Sequence, residues 1–495
     1  MNVNPMASSV IYQQSETSIA DSNFKSELAK NNVLYQILDS LFVHARIPHI
    51  FNFILLLWNT LQIITITFWI PHTNVFLSVH DVNDSNPQNV AIATKVVRYF
   101  NAVANLRPLH NSDFELLICV VIYSLVFLLS LGHLIFQIIC AKNRGRLINS
   151  SLFSTRIFLQ FVPGIMNMPT AAMCGTCFRL MLKKDPPIQT YFFFVLLLIQ
   201  FIYYFLVFSQ FFKFMSASVY LNDSCLASFN LSNYSSLISS SAAVQLFAYM
   251  FQVFPQWAIY FIVVIHLLVC GLSVPGNLNC MMIHVAANIE ILALSATLAE
   301  MDIFRIVVIF IKNLPDYVYL IVLAVLLIIN FTWSTFYYVS RNKKISNEVK
   351  RVISEYSEED LKKEEIKFLI FEDDFNLGKS ESHAINYLNC IVTNYYYQFL
   401  DFTIIKYITQ TFKSTKTLHY CAKIVAYFPC YTSYLNMLFG ELIKRKDLSN
   451  DIKFCLFEIQ RVKINRTSSS SAAVAESLKM LIQNGREIES NIKHF

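Results

Sequence analysis

Five apolar runs constrain this chain more than anything else in it: residues 50–70, 116–140, 191–212, 246–272 and 317–338. Each has about the 20 residues needed to cross roughly 30 Å of hydrocarbon. Inside a bilayer every backbone polar group must be paired within the protein, so runs of this length are helices. Their ends are marked. Arg46 and Pro48 precede the first run and Pro71 closes it, while Lys142, Arg144 and Arg146 close the second. Lys183 and Lys184 precede the third, Lys213 follows it, Pro275-Gly276 ends the fourth, and Arg341, Lys343 and Lys344 follow the fifth. Composition agrees: 55% of residues are hydrophobic and 15% charged, against about 25% charged in soluble proteins. That balance excludes an ordinary soluble enzyme and a disordered chain. The expected fold class is all-α, a polytopic membrane helix bundle with a cytoplasmic helical domain after it.

Two further segments are apolar but interrupted. Residues 152–182 hold Arg156, Pro163-Gly164 and Pro169, which argues against one straight helix and for a re-entrant hairpin or a pair of short helices. Residues 281–298 hold His284, Asn288 and Glu290, so they cross only with their polar side against other helices or water. The pattern predicts about six crossings plus the hairpin. Basic residues favour the cytoplasmic side, which places the tail after Tyr338, the 142–146 loop and the Arg179/Lys183/Lys184 patch inside. The last two share a side only if 152–182 enters and leaves by the same face. Residues 216–243 contain no Lys or Arg and carry sequons at Asn222, Asn230 and Asn233; Asn83 is another, in the first long loop. Both loops are expected outside and glycosylated, with both termini in the cytoplasm and the plasma membrane as the location. Residues 1–30 are polar and Ser/Asn-rich, so no signal peptide is expected and the first span serves as the targeting signal.

The expected domains are a polar N-terminus (1–47), a transmembrane domain (48–340), a charged linker helix (341–378) and a helical-repeat-like domain (379–495). Around 355–374 acidic residues interleave with Lys362, Lys363 and Lys367, the pattern of a solvated, salt-bridged helix or of a helix that transmits motion from the bundle. Beyond it, apolar residues at helical spacing predict helices over 382–400, 402–412, 418–428, 431–445, 449–462 and 468–484. They pair at intervals of about 33 residues, the period of tetratricopeptide-class arrays, without that class's consensus residues.

Chemistry is sparse. The chain has 9 glycines and no Walker loop, dinucleotide fingerprint, zinc-protease helix or nucleophile elbow. Its 11 cysteines follow no framework spacing and read as apolar filler. Cys174 and Cys177 have C-x-x-C spacing but no surrounding βαβ pattern, so they carry no redox assignment. His133 and His266, within clear spans, are expected to be satisfied by helix–helix hydrogen bonds, and Arg156 to snorkel to the interface. The sharpest polar feature of the membrane half is His284, Asn288, Glu290, Glu300, Asp302 and Arg305. His284, Asn288 and Glu290 form the candidate intramembrane site, with an interfacial helix wetted on its polar side as the alternative reading. A lipid-modifying enzyme would need a His/Asp constellation, which the spacing does not present. No catalytic residue, cofactor or resident metal is expected.

Several stretches resemble a known family. Ser154-Thr-Arg-Ile-Phe-Leu159 running on to Pro163, Pro169-Thr-Ala-Ala172, residues 211–221, and Phe254-Pro-Gln-Trp257 carry the likeness in the membrane half. Residues 422–429, 457–462 and the run from Arg466 extend it into the tail. Together they resemble the membrane and helical-repeat region of trichomonad receptor-type adenylate/guanylate cyclases. A cyclase domain, with two aspartates holding two metal ions, has no counterpart after Val462, so no catalytic residue is carried over. The resemblance implies a multi-pass signalling or regulatory module, the non-catalytic half of such a receptor. Its expected partners are membrane lipid, a cytoplasmic protein bound through the helical tail and a second copy of the chain, with no nucleic acid. The alternative is a channel or secondary transporter using the polar segment around Glu290.

Overall fold

The structure is a computed structural model that describes residues 33–45, 47–67, 92–108, 113–144, 149–182, 186–219, 233–250, 256–278, 285–311, 314–394, 396, 398–399, 402–427, 432–445 and 448–468. Among these there is no strand. The fold is all-α, as the spacing predicts. Six helices are long and apolar enough to cross a bilayer, and the chain is an integral membrane protein. Two compact units divide it, Gln36–Ile404 and a smaller one of Met1–Tyr35 with Ile405–Phe495.

The larger unit takes α1 (Val33–His44) from Gln36 onward, followed by α2 (His49–Thr67). Then come α3 (Ile92–Ala104), α4 (Asp113–Arg144) and α5 (Asn149–Met181). Next are α6 (Ile188–Ala217), α7 (Asn233–Met250) and α8 (Gln256–Leu278). The membrane half ends with α9 (Val285–Phe310) and α10 (Asp316–Glu355).

Helix α5 corrects the expected hairpin: 152–182 is one continuous helix with Pro163 and Pro169 inside it. It is the central mast, with 78% of its most apolar window buried against 22–50% in the other five spans. Two features hold this proline-bearing helix in the bundle. Pro169 has no N–H, so it strands the carbonyl four residues earlier. That carbonyl belongs to Ile165, and Gln62 of α2 supplies the missing donor, its Nε2 at 2.8 Å. Gly175 lets α7 approach to backbone distance, because a Cβ there would lie 2.6 Å from the Leu246 carbonyl oxygen. Small residues at such crossings are the usual means of close helix packing in lipid, and Ala171 and Ala172 beside it are fully buried. A helix of 33 residues is ~50 Å long. Its two ends are therefore far apart, with Arg179 in the last turn.

Two other expectations change. The described parts of the apolar run 246–272 belong to two helices, α7 to Met250 and α8 from Gln256, and residues 251–255 lie outside the described residues. Pro275-Gly276 does not end α8, which continues to Leu278. The expected outer loop is helical from Asn233 onward, and Leu237, Ile238 and Ala242 bury that helix in the bundle.

Helix α10 runs 40 residues without a break, ~60 Å, so the last span continues well past Arg341. The following acidic stretch is not a single helix. Backbone turns extended at Tyr356, and a 3₁₀ turn (Asp360–Lys362), α11 (Glu364–Leu369) and a π turn (Ile370–Asp374) follow. Leu361, Ile370, Phe371 and Phe375 are buried there; breaking the helix points all four inward while the acids stay outside. Ser380 caps α12 (Glu381–Thr393), accepting from the His383 N–H at 3.2 Å.

The smaller unit contains most of α13 (Phe402–Thr411), then α14 (Thr415–Tyr427), α15 (Thr432–Ile443) and α16 (Asn450–Ser468). Their positions follow the expected helices of the tail closely; the helix expected over 468–484 lies beyond the described residues. Tyr35 packs against Phe454 and Phe457 and donates its hydroxyl to the Asn450 carbonyl. Lys423 of α14 and Glu458 of α16 are fully buried, with Asp451 nearly so.

Candidate functional site

Helix α9 carries more charge than a lipid-facing helix tolerates, and the fold answers by burying it among α2, α8 and α10. Residues 291–298 are buried without interruption. The segment is therefore an inner helix of the bundle, not an interfacial one. Glu300 accepts from Asn330 Nδ2 of α10 at 2.6 Å, and Glu290 accepts from the Thr60 hydroxyl of α2. Asn288 is buried about two turns before Ser295. His284, the third member of the expected site, lies outside the described residues.

The tightest constellation is built from Asp302, Arg305 and His266, all essentially without exposure. Arg305 Nη1 donates to Asp302 Oδ1 at 3.0 Å. The other carboxylate oxygen, Oδ2, faces His266 Nδ1 of α8 at 2.7 Å, but the pair is not aligned as a hydrogen bond. On the far side of the imidazole, Nε2 lies 3.4 Å from Cys270 Sγ. Arg305 also donates to the Ile66 carbonyl, and Tyr319 of α10 to that of Thr67. These are the carbonyls of the last two described residues of α2, at the end of the helix where such groups need partners from outside it.

The same device recurs at α8, whose last two carbonyls, Asn277 and Leu278, accept from Tyr338 and Arg341 of α10. In both places an arginine and a tyrosine complete a helix C-terminus, where positive charge is favoured. The arginines are thereby paired, and α10 is fastened to α2 and α8 at once.

Sequence reasoning named Asp302 and Arg305 but left His266 to a generic helix contact. The one signal available was the i, i+4 spacing of His266 and Cys270, which shares a helix face; nothing in the sequence ties that face to Asp302. His133 does make helix–helix contacts, at 2.9 Å from Thr155 Oγ1 and 3.2 Å from Ser154 Oγ. Arg156 does not snorkel. It is fully buried, donates to Gln160 Oε1 at 2.9 Å and to the Leu41 carbonyl at 3.2 Å, and stacks on Phe42, because α1 closes the exit to the interface. Cys174 and Cys177 are free thiols in the buried core of α5.

A second polar group was not legible in the sequence. Gln62 donates to the Ala104 carbonyl as well as to Ile165, and Asn105 donates to Thr65 and Asn101. Asn101 in turn reaches the Tyr249 hydroxyl at 3.1 Å, and Arg107 lies over the Tyr249 ring and donates to Thr176. These amides tie α2, α3, α5 and α7 together. Of the four candidate glycosylation positions, Asn83, Asn222 and Asn230 lie outside the described residues, and Asn233 is the first residue of α7.

Compared with protein-family models, with curated proteins and with solved structures, the chain matches none.

Proposed function

We propose that this protein is a multi-pass signalling or regulatory module of the plasma membrane, akin to the non-catalytic half of a receptor-type nucleotide cyclase, with both termini in the cytoplasm. The observation that carries this reading is the continuity of α10. Coupling between distant sites needs an element with defined partners at each end. Within the bundle α10 is held by Tyr319 and Arg341. Beyond it Tyr387 of α12 donates to Glu348, and Arg351 pairs with Asp374 at 3.2 Å. A shift of α2 or α8 against α10 is thereby carried ~60 Å along a rigid helix to the charged turns and α12. The smaller unit supplies helical faces for a cytoplasmic protein partner, and a second copy of the chain is a further candidate partner.

The rival is a channel or transporter built on Glu290, whose contact with Thr60 places a carboxylate among inner helices. Two measurements decide. Reconstituted vesicles should show no ion flux, either with the native chain or with Glu290→Gln; a Glu290-dependent flux would replace the signalling reading by the rival. In the source cells, deleting the chain should change membrane cyclic-nucleotide production, and the full chain should restore it. An unchanged level would count against the cyclase-related role.

A further inference from the structure

We infer that His266, Cys270 and Asp302 form a binding site for a divalent transition metal of the zinc class, fastening α8 to α9 in the interior of the bundle. One ligand atom from each of the three lies within 4.8 Å of the others. For metal bonds of about 2.0 Å to N or O and 2.3 Å to S, tetrahedral donor edges are roughly 3.3–3.7 Å. Of the observed separations, Nε2–Sγ at 3.4 Å lies within that range and Nδ1–Oδ2 at 2.7 Å is shorter than it. The ion takes one imidazole nitrogen, and the cysteine, one torsion from its backbone, closes the remaining gap.

Two further observations point to a ligand. His266 Nδ1 and Asp302 Oδ2 are buried and face each other at 2.7 Å in a contact that is not aligned as a hydrogen bond. The carboxylate is also held as metal-binding carboxylates usually are. Its remote oxygen, Oδ1, is fixed by Arg305, which is itself anchored on the Ile66 carbonyl, and the oxygen facing the imidazole is left for the ion. Thiolate, imidazole and carboxylate together select a borderline-soft cation over magnesium or calcium. Binding breaks the Cys270 S–H bond and forms an S–metal bond, and the proton leaves to water. The thiolate and the Asp302 carboxylate then balance the dication, and Arg305 keeps its own single charge. No electron is transferred.

The inference stands apart from the signalling reading, since a metal staple suits a receptor or a transporter. It is tested on the full chain purified in detergent, first by elemental analysis and then by Co²⁺ titration. Expected is either retained zinc near one equivalent per chain or, after chelation, a thiolate-to-cobalt charge-transfer band that Zn²⁺ abolishes. Cys270→Ser should remove the retained zinc and the band. Cys177→Ser should leave both, and Arg305→Lys should weaken binding by about 10–100-fold. Cys270→Ser removes only a thiol, so an unchanged elution profile separates loss of metal from loss of fold. Absence of both zinc and the cobalt band in the native chain would overturn the assignment. So would a band that survives Cys270→Ser.

Discussion

At the scale of single residues, the bundle depends on a few positions with no alternative occupant. Gly175 is the sharpest. A Cβ there would meet the Leu246 carbonyl oxygen and the Tyr249 Cβ, each at 2.6 Å, and neither atom belongs to a side chain that can swing away. Gly175→Ala should push α5 from α7 and destabilise the protein by about 1–3 kcal/mol. Gly132→Ala, with nothing within 4 Å, should be neutral. Thermal stability of the detergent-solubilised variants distinguishes them; equal stabilities would mean that α7 does not pack where it is described. Lys423 gives a pH-dependent case in the tail. Burial, only partly offset by Cys455, Glu458 and Asp451, holds its ammonium down to about 8 from 10.5. Between those values the unfolded chain binds the proton that the folded chain has released, so stability should rise with pH across that window. Lys423→Met should flatten the rise. A wild-type profile that is flat or falling there, and unchanged by the substitution, would remove Lys423 as its source.

Among the helices, the recurrent problem is backbone that a helix cannot pair by itself, and side chains from neighbouring helices solve it. Gln62 pairs the carbonyl that Pro169 strands, while Arg305 with Tyr319, and Arg341 with Tyr338, complete the ends of α2 and α8. The first of these can be tested by a double-mutant cycle. Gln62→Leu should cost about 1–3 kcal/mol, the penalty for an unsatisfied buried acceptor. Pro169→Ala restores an N–H within reach of Ile165, so adding it should recover much of that loss. Strict additivity of the two changes would show that Gln62 does not act through the Ile165 carbonyl. The same logic explains why the expected hairpin fails. The prolines were visible in the sequence, but the donor that neutralises the second lies more than a hundred residues away.

In the whole molecule, the apolar runs determined class and most helix positions, because a bilayer admits few solutions for long stretches without charge. The described parts of all five clear runs are helical, and the amphipathic spacing of the tail located the starts of α12 to α16 to within about three residues. Charged residues in the apolar segment of α9 left both an inner and an interfacial helix open, and its buried run 291–298 decides for the inner one. Pairing was decided only in three dimensions. The sequence could say that Asp302 and Arg305 need partners, but not that His266 and the last carbonyls of α2 provide them. Arg156 shows the same limit: its length permits snorkelling, and only the placement of α1 over it forces a buried network. Local periodicity reports which face of a helix avoids water. Which faces meet depends on close approaches such as Gly175 and on long-range donors such as Gln62, and these exist only once the helices are packed.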